Sequence, residues 1–271
     1  MNYLSFDFEI TTPDQSEQLI ALLSGQGFEG FEETEHTLHA FIAEENFVED
    51  DFNTIMQLFS SLEYTKTTVE NINWNQQWEE SFEPVVVDNF VAIRAHFHLP
   101  IHNVQHEIII TPKMSFGTGH HATTYLVIHQ MEAIDFKQKR VLDFGTGTGI
   151  LAILAEKLGA GNVSAIDNDE WSITNAKENI GRNDCTKIII EQHNNIPLVK
   201  KYDVVLANIN LNVITANLAA IELVTKPGCK IIFSGFLKED ESTMKDNIKA
   251  AGFQYISTHQ KGNWIAINAE K

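Results

Sequence analysis

The run Val141-Leu142-Asp143-Phe144-Gly145-Thr146-Gly147-Thr148-Gly149-Ile150-Leu151-Ala152-Ile153 constrains the fold more than any other stretch. A strand-like segment passes through three alternate glycines into an apolar stretch with helical spacing. Glycines there let the backbone turn sharply and approach a ligand, and the helix that follows offers unbonded N–H groups. Strand and helix signals then alternate, the pattern of a doubly wound parallel α/β sheet. Strands are expected at 140–144, 162–166, 187–191, 202–207 and 230–234, and helices at 150–158, 170–180, 213–224 and 239–251. Two further strands, near 254–258 and 264–268, are joined by Gln260-Lys261-Gly262-Asn263. That link is too short for a helical crossover, so the pair must be antiparallel.

Asp167 ends the strand after the glycine loop, 22 residues beyond Gly145. That spacing places a carboxylate beside the ribose hydroxyls of an adenosine-containing ligand. The phosphate-binding fingerprint is G-x-G-x-x-G, whereas Gly145, Gly147 and Gly149 follow G-x-G-x-G, with Asp143 two residues before them. An acid there suits a cation better than a pyrophosphate. S-adenosylmethionine, with its sulfonium and ammonium, fits that description; NAD and a purely structural turn are the alternatives.

A second glycine loop lies upstream, Met114-Ser115-Phe116-Gly117-Thr118-Gly119-His120-His121-Ala122-Thr123-Thr124, before an apolar helix at 125–131. Neighbouring histidines on a helix face different ways and rarely chelate one ion, so no metal is expected. A loop that folds over the cofactor, with Thr124 contributing a hydroxyl, fits better.

Residues 1–70 form a different module. They hold fifteen Asp or Glu and a single basic residue, Lys66, a net charge of −14, while the remainder carries −4. The period-two alternation of residues 4–10 marks a half-buried strand, and Thr12-Pro13 marks a helix start. Strands near 28–33 and 38–43, a helix near 50–60 and a strand near 65–72 complete the order β-α-β-β-α-β, a ferredoxin-like split unit. Such an acidic module reads as a docking surface for a basic partner or as a solvated face. Trp74, Trp78 and Phe82 recur at helical spacing between the modules, which gives domains at 1–70 and 84–271 with a linker helix at 71–83.

Composition narrows the function classes. The formal net charge of −18 argues against DNA or RNA as the main partner, because such binding depends on Lys and Arg neutralising phosphates. No apolar run approaches the roughly 18 residues that span a bilayer. The acid at Asp7 and the lack of a basic start argue against a signal peptide. Cys185 and Cys229 are too few for a disulfide scaffold or a zinc cluster, so reduced, inert thiols and a cytoplasmic location are expected.

The combination Phe116-Gly117-Thr118-Gly119-His120-x-x-Thr123-Thr124, the run 141–153 and Ala207-Asn208-Ile209 resembles the PrmA family, bacterial methyltransferases of the large-subunit ribosomal protein L11. The resemblance covers residues 74–271 in detail, and 1–70 only as a small acidic recognition domain. It implies a class I methyltransferase with a Rossmann-like sheet, a terminal antiparallel hairpin and S-adenosylmethionine as cofactor. It implies cofactor contacts at Phe116, Thr124, Gly145, Gly147, Asp167 and Asn208. The chain departs from the pattern in Thr146 and Thr148, where Cys and Ser are common, and in Glu170, where Pro is frequent; neither change removes a needed group.

The implied reaction is in-line methyl transfer to lysine side chains, the N-terminal amine, or both, of a basic ribosomal protein, by a monomeric cytoplasmic enzyme. A target amine must be neutral to attack, and Asn208, at a strand's carboxyl end, is placed to accept its hydrogen bond. His120 and His121 are candidates for a base only through proximity, and Asn210 and Asn212 read equally well as ordinary loop residues. The alternatives are a methyltransferase of another protein or small-molecule amine, an RNA methyltransferase, against which the acidic module speaks, and a non-catalytic binding module on a relict cofactor fold.

Overall fold

A computed structural model describes residues 2–34, 36–59, 62–69, 82–112 and 119–271. The chain divides after residue 81 into two compact units.

The first unit runs β1 (Tyr3–Glu9), α1 (Pro13–Ser24), β2 (Gly30–Glu33), β3 (Thr37–Ala43), α2 (Glu49–Leu58) and β4 (Tyr64–Val69). Its sheet has the order β2-β3-β1-β4, with every neighbouring pair antiparallel. The alternation in β1 buries Leu4, Phe6 and Phe8. Thr12 caps α1 by accepting from Gln15 N, and Pro13 opens the helix, where its missing N–H costs nothing. Leu19 and Leu23 of α1 and Phe52 and Ile55 of α2 close the core over Phe6, whose ring lies 4.5 Å from that of Phe52. Each fully buried Leu or Phe contributes about 1.5–3 kcal/mol.

The second unit opens with a small sheet, β5 (Val85–Val87), β6 (Val91–Ala95) and β7 (His106–Ile110), antiparallel between β5 and β6 and parallel between β6 and β7. Arg94, buried in β6, binds Glu107 through Nε at 2.8 Å and Nη2 at 3.1 Å, and its Nη1 donates to the carbonyl of His98 at 3.0 Å. This network ties the loop between β6 and β7 to the sheet. There follow α3 (Ala122–Met131), β8 (Arg140–Phe144), α4 (Ile150–Lys157), β9 (Asn162–Asp167), α5 (Glu170–Arg182), β10 (Ile188–Gln192), β11 (Tyr202–Asn208), α6 (Leu211–Val224), β12 (Thr225–Leu237), α7 (Glu241–Ala250), β13 (Gln254–Lys261) and β14 (Trp264–Glu270).

The large sheet has the order β10-β9-β8-β11-β12-β14-β13. β10 to β12 are parallel neighbours, and β14 is antiparallel to both β12 and β13. One hydrophobic cluster packs α3 and α4 on the sheet, and a second packs α6 and α7. With helices on both faces, central strands read as continuous apolar runs; Val141 and Leu142 are fully buried. Asp143, in the same strand, is a buried carboxyl with no exposure, the one polar residue of that strand's interior.

The expected hairpin is present. Three expectations need correction. Helix α3 begins at Ala122, so Thr124 belongs to a helical first turn and not to a loop. Asn210 is the N-cap of α6, its Oδ1 accepting from Val213 N, and Asn212 lies inside that helix. β12 starts at Thr225, because Tyr202 pairs with Thr225 across a register shift. The tryptophans at 74 and 78, and Phe116, Gly117 and Thr118 of the upstream loop, lie outside the described residues. Both cysteines are free thiols, and burial pushes them up to about 11 at Cys185 and about 12 at Cys229.

Candidate active site

The parallel strands β8, β9, β11 and β12 all end at one edge of the sheet. In open α/β sheets the ligand crevice lies beyond such carboxyl ends. At this edge the chain turns through Gly145, Gly147 and Gly149 with φ of 76°, 54° and 82°, a region that side chains with a Cβ avoid. Gly145 N and Thr146 N both donate to the carbonyl of Ile166, at 2.9 and 3.0 Å, and Gly149 N donates to Thr146 O at 2.9 Å. Gly147 N donates to Asp167 Oδ2 at 2.9 Å. Four of the loop's N–H groups are thus committed inside the protein. A phosphate cradle needs such groups free, so this loop offers its close backbone approach and its carboxylates instead.

Asp167 holds the turn together. Besides Gly147 N, it receives Asp169 N on Oδ1 at 3.0 Å, and its backbone carbonyl accepts from His193 N at 2.8 Å. Each carboxylate oxygen has a second lone pair, so the partly exposed group can still accept from a diol. Asp169 caps α5 by accepting from Ser172 N at 2.9 Å, which holds its carboxyl below the usual range.

Beneath the loop lies Asp143. Burial pushes its carboxyl up to about 7, against the Thr146 hydroxyl that donates to Oδ2 at 2.6 Å; the charge of Asp167 adds to the rise. Oδ1 of Asp143 has no hydrogen-bond partner among the described residues. A buried carboxyl half satisfied in this way is poised to ionise when a cation arrives.

Asn208 ends β11, and its Nδ2 points to Thr124 Oγ1 at 3.4 Å, so two residues 84 positions apart meet at this edge. Its Oδ1 is buried and lacks a hydrogen-bond partner among the described residues. An unpaired buried acceptor costs about 1–3 kcal/mol, and a donor brought by a ligand would recover that cost. The orphan oxygens of Asn208 and Asp143, beside a turn that three glycines carry through positive φ, fit a cationic, adenosine-bearing ligand such as S-adenosylmethionine.

The histidines have other partners. His121 caps α3, its Nδ1 2.8 Å from Thr123 Oγ1, and its ring meets Trp264 edge-on at 4.4 Å. His120 Nε2 lies 2.9 Å from the carbonyl of Glu83, with its ring edge-on to Phe82. Neither contact leads to Asn208. Two residues that sequence reasoning passed over brace the site. Asn179, fully buried in α5, donates to Thr148 O at 2.9 Å and accepts from Thr111 N at 2.8 Å. Gly235, at φ 100°, lies against the backbone of Ile209. A mid-helix Asn reads as a surface residue and an isolated strand Gly as a bulge, so the second carried a signal and the first did not.

A family profile described as Ribosomal protein L11 methyltransferase (PrmA) matches residues 10–271. The chain is 36% identical to a ribosomal protein L11 methyltransferase of Phocaeicola vulgatus, over 98% of each chain. It is 37% identical to that of Chlorobaculum tepidum, over 99% of this chain and 96% of the other. Among solved structures, the ribosomal protein L11 methylase of Lactobacillus delbrueckii subsp. bulgaricus superposes with a TM-score of 0.65 at 28% identity, covering 69% of this chain and 98% of that one.

Proposed function

Because the chain belongs to the ribosomal protein L11 methyltransferase (PrmA) family, we propose that it methylates amines of ribosomal protein L11 with S-adenosylmethionine, at lysine side chains, the N-terminal amine, or both. When bound, S-adenosylmethionine supplies an electrophilic methyl group on a sulfonium. The protein's own residues do the rest. The turn at Gly145 and Gly147 admits the ligand against the backbone. Asp167 accepts from ribose hydroxyls while its bonds to Gly147 N and Asp169 N keep it fixed. Asp143 carries the negative charge that balances a cation above the loop, Thr124 is proposed to contact the same ligand, and the family resemblance implies a further contact from Phe116.

The acceptor amine sets the energetic problem. A lysine of pKa about 10.4 gives up its proton to solvent near neutral pH at a cost of about 4 kcal/mol. Asn208 lowers that cost by accepting a hydrogen bond from the neutral amine and turning its lone pair toward the methyl group; alignment supplies much of the remaining acceleration. The orphan Oδ1 of Asn208 is the observation that carries this reading. The first unit is proposed as an acidic ferredoxin-like recognition domain. Its fifteen carboxylates against one lysine up to residue 70 would steer a basic protein by long-range attraction. The enzyme is proposed to act as a cytoplasmic monomer.

The test is incubation of the full chain with methyl-labelled S-adenosylmethionine and a mixture of ribosomal proteins, followed by peptide mass spectrometry. Label on amines of L11 is expected. Label confined to another protein or to a small-molecule amine would replace the substrate. No label despite cofactor binding would leave a binding module.

A further inference from the structure

The segment that carries Asn208 is clamped from two sides, and the residue inside the clamp is Ile209. On one side is Gly145, where a Cβ would fall 2.9 Å from Ile209 Cδ1 and 3.3 Å from its Cβ. On the other is Gly235, where a Cβ would fall 2.3 Å from Ile209 O, 2.6 Å from its carbonyl carbon and 2.8 Å from its N. Both glycines have positive φ, 76° and 100°. Between them, Ile209 N donates to Ser234 O at 3.1 Å. The ladder of β12 with β14 shifts register between Ser234 and Phe236, so the strand bulges at Gly235. Bulges beside active sites re-aim the neighbouring chain.

Two strand ends have therefore given up their side chains to receive one isoleucine. Its backbone rests on the bulge of β12, and its side chain rests on the first glycine of the loop after β8. A β-branched side chain has a stiff χ1, so contact at Cβ and Cγ1, which a valine keeps, is passed to the backbone with little slack. Asn208 has few restraints of its own. Its side chain's one hydrogen bond among the described residues, to Thr124, is long at 3.4 Å, and its Oδ1 has none.

We propose that Ile209 is a positioning residue: a spacer that fixes the offset between the glycine loop and the Asn208 amide, so that methyl donor and amine acceptor are held in register. The proposal rests on the reading that Asn208 accepts from the substrate amine. It assigns Ile209 no contact with either reactant. Its influence is confined to the direction and distance of Asn208 relative to Gly145.

A double-mutant cycle with Ile209→Ala, Ile209→Val, Asn208→Ala and the Ile209→Ala/Asn208→Ala pair tests it, with methylation of L11 and calorimetric cofactor affinity as readouts. Ile209→Ala should lower kcat by about 100-fold, the scale of an ångström misplacement, while cofactor affinity stays near that of the unaltered chain. Ile209→Val, which keeps the β-branch, should restore most of that loss. In the Asn208→Ala background, Ile209→Ala should cost nothing further, because residues acting as a unit are not additive. Losses that multiply, or that follow the melting temperature, overturn the proposal.

A readout free of turnover accompanies the cycle. The side-chain NH2 pair of Asn208, assigned in a nitrogen-15 spectrum by its loss in Asn208→Ala, should stay sharp in Ile209→Val and broaden in Ile209→Ala. An unchanged pair in Ile209→Ala overturns the clamp. A full-length chain that binds cofactor yet labels no L11 overturns the functional reading instead, and the spectrum still decides the clamp.

Discussion

Cofactor binding should depend on pH through Asp143, and the dependence has a definite sign. Burial pushes this carboxyl up to about 7 in the free protein, so near neutrality it is half protonated. A cationic ligand favours the ionised form. Binding should therefore tighten as pH rises toward 7 and level off above it. One unit below that value about a tenth of the carboxyl is ionised, so affinity should be about tenfold weaker per pH unit on the acid side. Proton release on binding should be largest on that same side.

Asp143→Asn removes the titration. Its cofactor affinity should be weak and flat across the range, with no proton release. The same shift acts on folding. A carboxyl whose folded pKa is raised contributes stability below its unfolded pKa and loses it as pH rises through the folded value. From an unfolded pKa near 3.9 to about 7 the loss is on the order of 4 kcal/mol. The free Asp143→Asn variant should lack this decline. Calorimetry in two buffers of different ionisation enthalpy measures the proton count, and urea unfolding at several pH values measures the stability. A cofactor affinity that is flat with pH in the unaltered chain would refute the reasoning, and so would a variant that keeps the slope.

Other perturbations separate the remaining roles. Asp167→Ala removes the acceptor of Gly147 N as well as the proposed diol contact, and should weaken cofactor binding by about 1.5–3 kcal/mol in a calorimetric titration. A chain beginning at Phe82, the start of the second unit, should keep cofactor affinity and lose most methylation of L11. Association of the full chain with L11 should slow as salt rises, because exposed charges are screened within about 8–10 Å; stopped-flow mixing reads the rate. Glu107→Ala leaves the buried Arg94 guanidinium without its carboxylate and should cost about 3 kcal/mol in urea unfolding.

Local chemistry made much of this fold legible. Thr12-Pro13 states a helix start in the side chains themselves, and α1 begins there. The three glycines and Asp167 lie within one strand-turn-helix-strand unit, so spacing alone relates them. The start of α3 was missed because His121, its cap, is outside the Ser, Thr, Asp and Asn group that marks such positions. Thr225-Lys226-Pro227-Gly228 has the composition of a turn, yet pairing with Tyr202 makes it the start of β12. The contact of Gly235 with Ile209 joins two strands across a bulge. Asn179 reaches Thr148 across 31 positions. Such relations exist only after the sheet has formed, and no pattern within a window of sequence encodes them.

The strand order of the large sheet has a consequence for how the protein is made. β14 lies between β12 and β13, although the ribosome delivers it after both. While residues 264–270 are still inside the exit tunnel, β12 has an open edge and β13 has no partner in the sheet. An unpaired edge of that kind is a template for pairing with another chain. The apolar side chains of Ile231 and Phe233, fully buried in the finished protein, flank that edge. Assembly of the sheet therefore cannot proceed strand by strand in step with translation. It waits for an insertion, and a ribosome that stalls between β13 and β14 leaves a nascent chain with its aggregation-prone margin uncovered.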